Sequence, residues 1–167
     1  RALEDFARAG KARSIGVSHY CARHLRDVLE IATIKPAANQ VEYHVGMGGA
    51  GSNATDDKAF CESVGVAYLS FSTLCGPCGT SELITGPLVT SIGAAHNKSG
   101  AQVSLRWAVQ QGVPVVPKSA NPSHLAQNLD LFSWELTDAQ MAALNGATSP
   151  PVTGGGDGKT SGDCPQP

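Results

Sequence analysis

The sequence has no long apolar run, no excess of positive charge and no regular cysteine framework. No stretch approaches the ~18 consecutive apolar residues a membrane helix requires, and residues 1–20 lack the uninterrupted apolar core of a secretory signal. A formal net charge of −2, from 12 Lys and Arg against 14 Asp and Glu, leaves no electrostatic footprint for nucleic acid. The five cysteines are odd in number and irregular in spacing, which argues against a secreted disulfide scaffold and for reduced thiols in the cytosol.

What is present is one domain's worth of patterned chain. With 167 residues, of which 41% are hydrophobic and 16% charged, the sequence can bury a core of ordinary size. It opens on RALEDFARAG, where Leu3 and Phe6 or Ala7 share a helical face and Gly10 is placed to cap it, so the first residues read as the inside of a helix with no initiator Met. Strands are predicted at Arg13 to Ser18, Ala37 to Tyr43, Val66 to Ser72 and Val113 to Val116. Helices are predicted from about Ala22 to Ala32, Thr55 to Val64 and Pro87 to His96.

Three further helix starts carry their own signals. Ser99-Gly100-Ala101-Gln102 and Thr137-Asp138-Ala139-Gln140 have the form of capping boxes, and Asn121-Pro122 sets an N-cap before a proline at the first helical position. The first of these helices runs through Gln110 and the last to about Leu144. From Gly146 to Pro167, ten of 22 residues are Gly or Pro, which predicts a tail without a core of its own. Apolar strands alternating with helices require a parallel sheet covered by helices, either an open doubly wound sheet or a barrel. Four strands do not close a barrel; they make half of an eight-stranded one.

Three motifs compete for the chemistry. Gly49-Ala50-Gly51-Ser52-Asn53-Ala54 fits the dinucleotide fingerprint by spacing, but Val45 to Gly48 separate it from the strand and the next strand ends in Ser70-Phe71-Ser72 without an acid, so a loop is the better reading. Cys75-Gly76-Pro77-Cys78 has redox spacing after a strand, yet turn residues follow it where a thioredoxin-like protein has a helix. Zinc is discounted because a closed site needs about four ligands and no second Cys-x-x-Cys pair exists. Val115-Val116-Pro117-Lys118-Ser119-Ala120-Asn121-Pro122 brings a lysine and a hydroxyl to a helix N-terminus, where free amides favour phosphate. His124 and Asn128 follow one turn apart on that helix.

These segments resemble the aldo-keto reductases. The resemblance lies in GKARSIGVSHY, IKPAANQVEYH, VAYLSFSTLCG and the long stretch AAHNKSGAQVSLRWAVQQGVPVVPKSANPSHLAQNLDLFSWELTDAQMAAL, in the family's order and at about its spacing. It implies the C-terminal half of a TIM-type (βα)8 barrel over residues 1–147, with its last four parallel strands and covering helices, and a Gly/Pro-rich tail over 148–167. The implied activity is reduction of an aldehyde or ketone to an alcohol with NADPH. Ser18, His19 and Gln40 then meet the nicotinamide carboxamide, and Phe71 takes the place of the aromatic residue that stacks on the ring. Ser72, Leu74 and Gly76 fall on the pyrophosphate loop, Lys118 and Ser119 on the 2′-phosphate clamp, and Gln127 and Asn128 on the adenine contacts.

The resemblance also marks departures. His19 stands for a usual Asn, and His124 for an arginine that in many members grips the 2′-phosphate. The family's catalytic Asp, Tyr, Lys and His fall before Arg1 in its order, so no catalytic residue and no metal ligand is assigned. Two other expectations stand beside the reductase: a non-catalytic half barrel whose open strand edges are covered by a partner or by self-association, and a thiol oxidoreductase using Cys75 and Cys78.

Overall fold

The computed structural model describes residues 1–47 and 53–150. The glycine loop beginning at 49 and the tail from 151 onward lie outside the described residues. Three parallel strands, β1 (Val17–Ser18), β2 (Ala38–Glu42) and β3 (Ala67–Phe71), pair in chain order. Their register sets Ser18 opposite Gln40, Gln40 opposite Leu69 and Glu42 opposite Phe71. With the helices that follow each strand, this is the last half of an α/β barrel.

The fourth expected strand is reduced to one bridge, Ser70 to Val115, closed by the Ser70 N–H donating to Pro114 O at 2.8 Å. Pro114, whose backbone faces β3, has no amide hydrogen to donate, so the ladder cannot extend toward the start of the run. The first strand is also shorter than predicted. Residues 13–16 lead into it with a single backbone bond to the approach of β2, Ala37 N–H donating to Ile15 O at 2.7 Å, and at Gly16 a β-carbon would meet Ala38 O at 2.7 Å.

The helices are α1 (Ala2–Arg8), α2 (Ala22–Ile31), α3 (Asn53–Ser63), α4 (Glu82–Thr85), α5 (Pro87–His96), α6 (Gly100–Gln110), α7 (Pro122–Leu129) and α8 (Asp138–Asn145). Both capping boxes form: Ser99 and Thr137 accept from the amides of Gln102 and Gln140, whose side chains return to the cap amides. Asn121 caps α7 through its side chain, accepting from the Ser123 amide. Helix α2 has no cap of its own, and Asp57 of α3 accepts from the Ala22 amide at 2.8 Å instead. The short α4 was not foreseen, because Gly and Thr punctuate its sequence; Leu83 buries it against α6.

Successive strand residues face opposite ways. One sheet face, with Val41, Tyr43 and Tyr68, packs on the helices, and its centre is the fully buried Trp107 of α6. Trp107 stacks on Tyr43 with ring centroids 4.8 Å apart and donates from Nε1 to Asn145 Oδ1 at 2.8 Å. The opposite face carries Ser18, Gln40, Leu69 and Phe71 and is only partly covered. No helix among the described residues is long and apolar enough to cross a membrane.

Candidate cofactor site

The open face and the C-terminal ends of the strands bring together four of the expected nicotinamide contacts. Ser18 Oγ donates to Gln40 O at 2.8 Å, and the His19 amide donates to the same carbonyl at 2.9 Å. His19 turns the chain at φ 59°, which lays its ring 4.9 Å from the ring of Phe71 at an interplanar angle of 56°. Ser18, His19, Gln40 and Phe71 thus line one wall, a mixture of hydrogen-bonding groups and an aromatic plane.

A residue that sequence reasoning missed holds this corner. Asn39 points to the opposite, helix-packed face and is fully buried. Its side chain accepts from the Tyr20 amide at 3.3 Å and donates to Tyr20 O at 2.5 Å, fixing the turn that presents His19. A polar residue at a position that alternation assigns to the core was the signal available for it.

The loop after β3 is wound tightly. Ser72 and Cys75 have φ values of 51° and 48°. Together with His19 they make three of the four non-glycine residues with positive φ among those described. Such conformations are disfavoured by order 1 kcal/mol each and concentrate where surrounding structure fixes a binding surface. The Cys75 amide donates to Ser72 O at 2.6 Å, and Ser70 Oγ donates to Tyr43 O at 2.7 Å, anchoring the loop to β2. Gly76 lies exposed at the start of a single 3-10 turn, Gly76–Cys78, and Leu74 is half-buried behind it.

The Cys75 and Cys78 sulfurs are paired as a disulfide, with α-carbons 5.3 Å apart, in place of the free thiols expected there. The chain turn itself brings them together, since Cys78 N–H donates to Cys75 O at 3.0 Å. Gly79 ends the turn at φ 68°, so no long helix follows as a thioredoxin-like site would need. Cys75 is fully buried and cannot meet an incoming thiol directly.

The phosphate and adenine candidates follow the Val115 bridge. Lys118 is exposed, and Ser119 Oγ accepts from the Asn121 amide at 3.1 Å, joining the cap of α7. Along α7, Gln127 and Asn128 are half-buried while His124 is exposed. Asn128 lines a cleft of about 740 Å³ whose other walls include Val113, Leu125, Leu129 and Phe132. This group and the nicotinamide wall are related by strand direction: both sit at the C-terminal ends of parallel strands, where such folds bind ligands.

Two of the tyrosines, Tyr43 and Tyr68, lie behind the sheet. Burial pushes the Tyr43 phenol up to about 12, even with Tyr43 Oη donating to Gln111 Oε1 at 2.9 Å. Burial raises Tyr68 still further. Both rings belong to the core, and neither faces Phe71's side of the sheet.

Comparison with known proteins points to one family. The model of the aldo/keto reductase family matches residues 1–148. An aldo-keto reductase of Mycobacterium sp. (strain MCS) is 39% identical over 137 residues, covering 82% of this chain and 45% of its own. Glyoxal reductase of Bacillus subtilis is 37% identical over 145 residues, covering 87% and 49%. Among solved structures, an aldo-keto reductase from a deep-sea metagenome library superposes with a TM-score of 0.81 at 28% identity, over 92% of this chain and 54% of that one. A Bombyx mori aldo-keto reductase in complex with NADP gives 0.72 at 30% identity, over 86% and 47%. The chain belongs to the aldo-keto reductase family. It spans about half the length of the relatives it matches.

Proposed function

We propose that this chain supplies the cofactor-binding half of an NADPH-dependent reductase that converts an aldehyde or ketone to an alcohol in the cytosol. The observation that carries this reading is the convergence of Ser18, His19, Gln40 and Phe71 on one open wall of the sheet. NADPH, when bound, is the hydride source; the protein's part here is to hold and orient it. Ser18, His19 and Gln40 offer hydrogen bonds to a carboxamide, and the Phe71 ring offers a plane for the nicotinamide. The 72–76 loop presents backbone to the pyrophosphate. Lys118 and Ser119 present an ammonium and a hydroxyl to a 2′-phosphate that NADH lacks, and Gln127 and Asn128 present amides to the adenine.

The proton-transfer groups of the family have no counterpart in this reading of the chain, so the 167 residues alone are expected to bind cofactor without reducing carbonyls. Isothermal titration with NADPH and NADH tests the assignment. Lys118→Met should weaken NADPH at least roughly tenfold, the lower end for losing a charged hydrogen bond, and leave NADH unchanged. Phe71→Ala should weaken both. NADPH affinity indifferent to both substitutions, or carbonyl-dependent NADPH oxidation that survives both, would sink the reading.

A second reading is favoured by the sheet's two outer members. Val17 on one side and Val115 on the other each border a cleft, of about 320 and 740 Å³. A second copy of the chain laid against these edges would cover them, as a half barrel used for assembly would require.

A further inference from the structure

Beyond the cofactor site, we propose that the reduced chain holds a zinc ion between Glu42, His44, Cys75 and Cys78. One ligand atom from each of these four residues lies within 4.8 Å of every other. The end of β2 supplies the first pair: Glu42 is its last residue, and His44, two residues on, brings its Nε2 to 3.6 Å from Glu42 Oε1. The second pair comes from the loop after β3, which is held in register because Glu42 lies opposite Phe71, four residues before Cys75.

The distances fit a tetrahedral ion. His44 Nε2 is 3.4 Å from Cys75 Sγ and 3.6 Å from Glu42 Oε1. Zn–S bonds of ~2.3 Å and Zn–N or Zn–O bonds of ~2.0 Å give tetrahedral edges of roughly 3.3–3.6 Å for these pairs. The two sulfurs must separate to ~3.8 Å, the edge between two Zn–S bonds, and the Cys-x-x-Cys spacing is the one zinc-binding loops use. The histidine is already prepared. Nδ1 lies 2.7 Å from Val45 O, a carbonyl that can only accept, so Nδ1 carries the proton and Nε2 is left with its lone pair facing the cysteine.

Burial supplies the energetic argument. Glu42 is 2% exposed, and His44 and Cys75 are fully buried. Exclusion of water from these ligands is what a closed structural metal site requires. Thiolate, imidazole and carboxylate in a closed tetrahedron select zinc over harder ions such as magnesium or calcium. A two-electron reductant, such as a cellular dithiol that becomes a disulfide, opens the Cys75–Cys78 bond to two thiols. Zinc then binds with release of both thiol protons. The ion would clamp the 72–78 loop to the end of β2. None of the four ligands is one of the nicotinamide-wall residues, but Cys75 sits in the loop assigned to the pyrophosphate, so the site is tested on the chain without NADPH.

The test uses the 167-residue chain reduced with a phosphine, loaded with zinc under anaerobic conditions and desalted. One zinc per chain is expected by mass spectrometry, and cobalt in its place should show thiolate charge-transfer absorption and the strong visible bands of tetrahedral geometry. Cys75→Ser with Cys78→Ser should abolish both signals, and His44→Gln and Glu42→Gln should each weaken zinc more than about tenfold. A reduced chain that retains no zinc, or a double serine variant that retains it fully, overturns the proposal. If the variants do not fold, alkylation of the unmutated chain decides. Zinc should slow iodoacetamide labelling of the partly exposed Cys78 by more than about tenfold, and equal rates with and without the ion would refute the site.

Discussion

Glu4 shows how much one side chain can fasten. Its carboxylate accepts from the amides of Ile34 and Thr33, at 2.9 and 2.6 Å, and from Thr33 Oγ1 at 3.0 Å, tying α1 to the turn that leads into β2. These bonds, the Ile34 amide first, hold its pKa down to about 2 from an ordinary 4.5. A carboxylate depressed on folding adds stability that is complete above the unfolded value and disappears as pH falls through the folded one. The chain should therefore lose stability between about pH 4.5 and pH 2, and Glu4→Gln should be less stable at neutral pH with a flatter acid profile. Urea melts at several pH values check this, and parallel profiles for the two proteins would exclude the role.

At the scale of elements, the α4–α5–α6 corner depends on two helical glycines. A β-carbon at Gly93 would meet Lys98 O at 2.4 Å, and one at Gly100 would meet Ile84 O at 2.4 Å and Val89 Cγ2 at 2.7 Å. Helix propensity alone would reward Gly100→Ala by up to ~1 kcal/mol. The contacts are with backbone carbonyls that cannot rotate aside, so overpacking should dominate and Gly100→Ala should destabilise by roughly 1–3 kcal/mol. Denaturant midpoints measure it, and a rise in the midpoint would show that the corner is looser than the distances imply. Ser99 and Thr137, by contrast, advertised their helices in sequence because a capping box is local chemistry, complete within four residues. The bridge at Val115 was misjudged as a strand because its apolar run was visible while the missing ladder donor at Pro114 takes effect only against a neighbouring strand.

For the molecule as a whole, the open edges set the behaviour. Leu129 and Phe132 are 79% and 75% exposed beside the Val115 edge, and Ile31 is 71% exposed beside the β1 edge. Exposed apolar groups clustered in this way mark contact surfaces. The proposed self-association predicts sedimentation that shifts with protein concentration, and Leu129→Asp with Phe132→Asp should move it toward the monomer. A clean monomer before substitution, with cooperative unfolding, would remove the association reading and leave the cofactor reading untouched.

By itself the sequence determined what depends on near neighbours: alternation along β2 and β3, the helix caps, and the strand-end positions of Ser18 and Phe71. Those follow from periods of two and 3.6 residues and from local hydrogen bonding. Only the tertiary structure decided which distant residues share a place. It turned Asn39 from a core position into the brace of the His19 corner. It also set Glu42 and His44 against a Cys-x-x-Cys loop that, read along the chain, had only two of a zinc site's four ligands. Parallel strand pairing made that meeting, because register between β2 and β3 is fixed by packing across the 24 residues of intervening chain, which no local pattern spans.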